Sequence, residues 1–211
     1  MFRFIATIIY LAFATSAAAQ AAPKTLMVLG DSLSAGYNLP HGAGVPEQLG
    51  LWLNANNCPV NIVNAGVSGD TTTGGLNRVD WAVGSLPDQK ADLVIVELGG
   101  NDALRGIDPA LSKSNIRAIV EHFQALDIPP VLAGMQAPPN MGSDYERAFN
   151  GLFAEVAAEK GIPLYPFFLE GVAAIPELNL PDHIHPNEKG VAVIVSKLGP
   201  FVKPLLCTDG S

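Results

Sequence analysis

The chain has 211 residues, 48% hydrophobic and 15% charged, with 12 Lys plus Arg against 20 Asp plus Glu for a formal net charge of −8. That length suits one domain whose core needs no staples, and the apolar content excludes a disordered chain. An acidic surface without a Lys/Arg run excludes nucleic acid as a partner, and excludes a membrane held through a polybasic face.

Residues 1–22 read as a removable leader. Arg3 makes a short basic start, Phe4 to Ala14 is an apolar run, and Ala17-Ala18-Ala19 and Ala19-Gln20-Ala21 are small-x-small signals for cleavage near 19–22. A bilayer span takes about 20 apolar residues, and this run is shorter. The chain is therefore expected to be exported, periplasmic or secreted, with no integral membrane span in its mature form. Losing Arg3 makes the mature side-chain charge one unit more negative.

After the leader, short β runs alternate with amphipathic stretches. Thr25 to Leu29 reads as a buried strand. Val45, Leu49, Trp52 and Leu53 mark one face of a helix, and Val60 to Val63 makes a second strand. Leu93 to Val96 is a third, flanked by Asp92 and Glu97. Asp108-Pro109 opens a helix, since Asp caps free amides and Pro is tolerated at the first helical position; Ile116, Ile119, Val120 and Phe123 form its apolar face. Val131 to Ala133 is a fourth strand, followed by a helix faced by Phe149, Leu152, Phe153 and Val156. Ile162 to Tyr165 is a weaker fifth strand, and Pro163 puts it at an edge. The last helix opens at Pro186 and shows Val191, Ile194, Val195 and Leu198.

Strands alternating with helices predict an α/β fold: a flavodoxin-like three-layer α/β/α sandwich around a five-stranded parallel sheet of order 2-1-3-4-5. Cys58 falls after the first long helix and just before the second strand; Cys207 follows the last helix. In that topology both lie at the sheet end away from the ligand crevice, and the two helices share a face. An oxidising compartment then favours a Cys58–Cys207 disulfide.

Four segments carry chemistry, and each follows a strand or opens the last helix: Gly30-Asp31-Ser32, Ser68-Gly69-Asp70, Gly99-Gly100-Asn101-Asp102 and Asp182-His183-Ile184-His185. Open α/β sheets bind ligands beyond the strand carboxyl ends, so residues spread over most of the chain converge at one edge. Ser32 is the candidate nucleophile. His185 is the candidate base, and Asp182 holds its tautomer. The amides of Ser32 and Gly69 and the side chain of Asn101 can donate to an oxyanion. Each segment taken alone also reads as ordinary turn chemistry. Ser34 stands where a Gly-x-Ser-x-Gly elbow needs glycine, so that motif is absent. Asp182, His183 and His185 could approach zinc, but no third well-placed His or Cys accompanies them; no metal and no cofactor are expected. No phosphate-cradling glycine motif is present.

Ser32, Gly69, Asn101 and His185 match in order the four blocks of the SGNH (GDSL-type) hydrolases, and the chain resembles that family over roughly residues 25 to 200. The stretches 30–37, 69–72, 99–102 and 135–140 are most similar to the branch of periplasmic multifunctional thioesterase/protease/lysophospholipases and arylesterases. The resemblance implies one hydrolase domain over 23–211, cleaving small acyl esters or thioesters through Ser-His-Asp chemistry. The branch usually carries a small residue where His183 stands.

Two stretches flank the expected site. Met135, Pro138, Pro139 and Tyr145 come from one, Ile175 and Leu178 from the other. They read either as an apolar groove for an acyl chain or as ordinary loop packing. A carbohydrate O-deacetylase or O-acyltransferase on the same fold is a second reading, and a non-catalytic periplasmic binding protein a third. Aromatic residues at 7% are few for a sugar-binding surface, and the full set of catalytic parts argues against a mere binding protein.

Overall fold

In the computed structural model, which describes residues 22–207, the strands β1 (Lys24–Gly30), β2 (Val60–Gly66), β3 (Leu93–Glu97), β4 (Pro130–Ala133) and β5 (Leu164–Tyr165) form one parallel sheet. Its order is β2-β1-β3-β4-β5, as the alternating pattern predicts. The expected leader lies outside the described residues except for Ala22. Among the described residues no helix is long and apolar enough to cross a membrane.

The central strands are continuous apolar runs because they are covered on both faces; every residue of β3 is buried. One cover is the pair α2 (Val45–Ala55) and α8 (Glu188–Leu206), which pack on each other. Gly199 of α8 permits that approach, since a Cβ there would drive into the Trp52 ring. The other cover joins α3 (Thr72–Asn77), α6 (Pro109–Ala125) and α7 (Ser143–Lys160), with α6 packed against both neighbours and the short α4 (Val79–Gly84) following α3. The core between them includes Leu26, Met27, Ile95, Phe123, Phe149 and Phe168, each fully buried.

Two expectations need adjusting. Strand β5 has two residues, not the four from Ile162, because Pro163 has no N–H for the ladder and contributes only its carbonyl, which accepts from Leu132 N–H at 3.0 Å. Asn187, not Pro186, caps α8, its side chain accepting from the amides of Lys189 and Gly190.

Strand register sets where the chemistry goes. Gly30 pairs with Gly66 on one side and Glu97 on the other; Glu97 pairs with Ala133, and Ala133 with Tyr165. The row of strand ends is level, so the residues two to four places further on meet along one edge.

Cys58 and Cys207, 149 positions apart in sequence, are bonded, with Cα atoms 5.7 Å apart. Cys58 stands two residues before β2, at the edge opposite Ser32. Cross-linking so long a loop restricts the unfolded chain, so Cys207→Ser is expected to lower unfolding free energy by about 2–4 kcal/mol in urea titrations. Turnover should not change; a variant that unfolds at the wild-type midpoint would contradict this.

Candidate active site

Ser32 opens the four-residue helix α1 (Ser32–Ala35) at the end of β1. The side chain of Asp31 caps that helix by accepting from Leu33 N–H at 3.0 Å, which fixes the turn that carries the hydroxyl. Ser32 Oγ lies 2.8 Å from His185 Nε2. His185 Nδ1 lies 2.7 Å from Asp182 Oδ2. Residues 153 positions apart in sequence thus share a hydrogen bond.

Asp182 does two things. Its Oδ1 accepts from the backbone amides of Ile184 and His185, both at 3.0 Å, folding the loop that presents the imidazole. Its Oδ2 accepts from Nδ1–H, so Nε2 is left to accept the serine proton. Burial pushes this carboxyl up, but the two amides and the imidazole outweigh it and bring it down to about 2. Asp182 is therefore ionised throughout the neutral range. The loop is closed by Leu180 N–H to the His185 carbonyl at 2.7 Å and by an antiparallel bridge between Asn179 and Pro186.

Gly69 sits in a turn closed by Asp70 N–H to the Val67 carbonyl at 3.1 Å, with φ of 86, a conformation that glycine tolerates. Arg105 donates to its carbonyl at 3.0 Å. Asp70 pairs with Arg78, and Arg78 in turn donates to the Gly30 carbonyl at 2.9 Å. The second segment is thereby tied to the nucleophile's strand. Asn101 lies on the short helix α5 (Gly100–Leu104), and its Nδ2 donates to Asp31 Oδ2 at 3.1 Å. An amide nitrogen carries two N–H groups, which leaves one for the cavity that Asn101 lines. Asp102, fully buried, accepts from Thr72 N–H, Thr72 Oγ1 and Ser112 Oγ at 2.8, 2.6 and 2.8 Å, tying α5 to α3 and α6.

Ser32, Gly69, Asn101 and His185 all line one cavity of about 740 Å³. Met135, Pro138 and Pro139 line it too. Tyr145, Ile175 and Leu178, expected there, do not. The Tyr145 ring stacks on Phe149 and its hydroxyl donates to the Ile107 carbonyl at 2.9 Å, so it braces α7 against the α5–α6 connection. Leu178 packs against the core. Ile175 is exposed outside the lining, while its neighbours Ala173 and Ala174 line the wall. In their place the structure brings Tyr37, Leu104, Phe167, Leu169 and Ile184. The sequence carried a signal for Phe167, two residues past the fifth strand, and for Ile184, between Asp182 and His185. His183 also lines the cavity, with its backbone at φ of 59, the left-handed region that bulky residues seldom occupy.

Sequence reasoning also passed over two buried carboxyls beneath the nucleophile. Glu97 is fully buried, and its Oε2 accepts from Ser34 Oγ at 2.6 Å and Asp31 N–H at 3.4 Å. Burial, then the charge of Asp31, raises its pKa well above the usual carboxylate range. Asp31 is 2% exposed. Burial raises it to about 6, against its bonds from Leu33 and Asn101 and the attraction of His185. A raised acid binds its proton in the folded chain after the unfolded chain has released it. Its contribution to stability is thus full below about pH 4 and falls as the pH climbs to about 6. Asp31→Asn keeps the cap acceptor and removes the charge. Urea titrations at both ends of that window are expected to show wild type losing stability relative to the variant as pH rises; a constant difference would contradict the assignment.

The GDSL-like Lipase/Acylhydrolase family model matches residues 28–193. The chain is 39% identical to esterase TesA of Pseudomonas aeruginosa over 187 residues, covering 89% of this chain and 92% of that one. It is 36% identical to thioesterase 1/protease 1/lysophospholipase L1 of Escherichia coli strain K12 over 210 residues, covering 99% and 97%. Among solved structures, the SGNH-hydrolase family esterase AlinE4 is 44% identical, with a TM-score of 0.74 over 89% of this chain and 99% of its own. With the five-stranded sheet in the order this fold requires, and with Ser32, His185 and Asp182 in hydrogen-bonded sequence, the chain belongs to the GDSL-like lipase/acylhydrolase family.

Proposed function

We propose that the chain is an exported serine ester hydrolase that cleaves acyl esters or thioesters through an acyl-serine intermediate. The observation that carries this is the Ser32–His185–Asp182 relay opening onto a largely apolar cavity. Ser32 Oγ attacks the acyl carbonyl as His185 Nε2 takes its proton. The carbonyl oxygen becomes an oxyanion, held by the amides of Ser32 and Gly69 and by Asn101 Nδ2. Collapse expels the alcohol or thiol, which leaves with the proton from His185. Water then attacks the acyl-serine, His185 takes its proton and returns it to Ser32, and the carboxylic acid departs.

The leader layout of residues 1–22 and the Cys58–Cys207 bond support export, since disulfides persist outside the cytosol. The remaining residues, 23–211, make the single hydrolase domain. Leu33, Leu104, Met135, Pro138, Phe167 and Leu169 give the acyl chain apolar walls. The test is burst and steady-state kinetics with p-nitrophenyl esters of graded length and matched acyl thioesters. A burst of about one product per site is expected. Each methylene buried is worth at most about 0.8 kcal/mol, so kcat/KM should rise up to about fourfold per carbon until the cavity is full. Preference for acetyl esters of sugars over long acyl chains would overturn the acyl-chain reading.

A further inference from the structure

Tyr37 stands five residues past the nucleophile, and the backbone decides where its ring goes. Helix α1 stops after Ala35 because Gly36 turns into the left-handed region at φ of 72. The amides of Gly36 and Tyr37 both fold back onto the carbonyl of Ser32, the second at 3.1 Å. Leu39 N–H closes the far side of the turn on the Gly36 carbonyl at 3.0 Å. The residue carrying the ring is thus tied to the residue carrying the reacting hydroxyl. The ring lies against the imidazole of His185, with centroids 4.5 Å apart and planes inclined by 37°. It is 41% exposed and lines the cavity, so core burial does not explain its place.

We propose, building on the serine-hydrolase reading above, that Tyr37 is a positioning residue. Its ring face stabilises the imidazolium that His185 becomes on taking the Ser32 proton, and keeps the imidazole in line with Ser32 Oγ. An aromatic face carries negative potential and attracts a cation within about 6 Å of its centroid. The other groups around the imidazole act differently. Asp182 accepts a hydrogen bond from Nδ1–H at the ring edge, Asp31 contributes charge from the nucleophile turn, and His183 shares the cavity wall. Within the catalytic cycle His185 becomes a cation around the tetrahedral intermediates. The stabilisation therefore belongs to the transition state and reads in kcat rather than KM.

The experiment compares Tyr37→Phe, which keeps the ring, with Tyr37→Leu, which keeps bulk without it, and carries Ser32→Ala alongside. Tyr37→Met is the second ringless variant should Tyr37→Leu not fold. Tyr37→Phe is expected to match wild type. Tyr37→Leu should lower kcat about two- to fivefold at unchanged KM. A less stabilised imidazolium gives up its proton more readily, so the acid limb of kcat/KM should move down by about half a pH unit. The His185 resonance of the free enzyme, identified by its loss in His185→Gln, should titrate with the same displacement. Three results would overturn the proposal: Tyr37→Leu equal to wild type, Tyr37→Phe as slow as Tyr37→Leu, or a loss confined to KM. The resonance needs no turnover. Ser32→Ala turnover above a few per cent of wild type would thus overturn the serine mechanism by itself, whereas Ser32→Ala below that level beside an unperturbed Tyr37→Leu would overturn only the role of Tyr37.

Discussion

Ser32→Ala is expected to lower kcat by about a million-fold while leaving the fold intact. The side chain loses one atom, and that atom's hydrogen bond is to His185 rather than to any structural partner. The cap of α1 comes from Asp31, and the return bonds that end the turn use the Ser32 carbonyl, so neither depends on the hydroxyl. Without the nucleophile, the remaining acceleration comes from the oxyanion donors and from substrate positioning, worth about a thousand- to ten-thousand-fold over water. A serine-directed phosphonate should label wild type once and the variant not at all, with melting temperatures that agree. Retention of more than a few per cent of wild-type turnover would remove Ser32 from the reaction.

Asp182→Asn is expected to lower kcat by about ten-thousand-fold with little change in KM. The amide oxygen can still accept from the Ile184 and His185 backbone, as Oδ1 does, so the loop keeps its shape. Its NH2 would then face Nδ1, where the carboxylate accepts a hydrogen bond from Nδ1–H at 2.7 Å. Two donors cannot share that contact. The imidazole must take the tautomer with its proton on Nε2, which leaves Ser32 no base. Asp182→Ala should be at least as slow and also less stable, because it removes the loop's acceptor. Imidazole nitrogen shifts would show the tautomer directly. An Asp182→Asn variant holding a tenth of wild-type kcat would assign the orientation of His185 to another group.

Much of this was legible beforehand because the signals are local. Hydrophobic runs between turn residues mark buried parallel strands, and the apolar faces of α2, α6, α7 and α8 follow the helical period. Short helices such as α1 and α5 were not legible, since four or five residues do not make a period. The site was legible where motif and sheet topology agreed: Ser32, Gly69, Asn101, Asp182 and His185 each follow an element whose end had to face the same crevice. The lining was less so. Met135, Pro138 and Pro139 follow β4 directly and reach the cavity, but Tyr145 belongs to α7 and turns its hydroxyl away to Ile107.

What the order of residues determined by itself was the alternation of strands and helices, the sheet order that such alternation favours, and the four segments at strand ends. These depend on near neighbours and on a topology with few alternatives. What the tertiary structure alone decided was how those segments are held. Nothing in the sequence marks Glu97 or Asp102 as interior, yet both are fully buried, the first beneath the nucleophile turn and the second between three helices. The placement of Tyr37 over His185 likewise joins residues 148 positions apart in sequence, a loop whose closure cost grows only slowly with its length. Burial and long-range contact are sums over the whole packed chain. No window of sequence contains them, and it is there that the environment of each catalytic group was set.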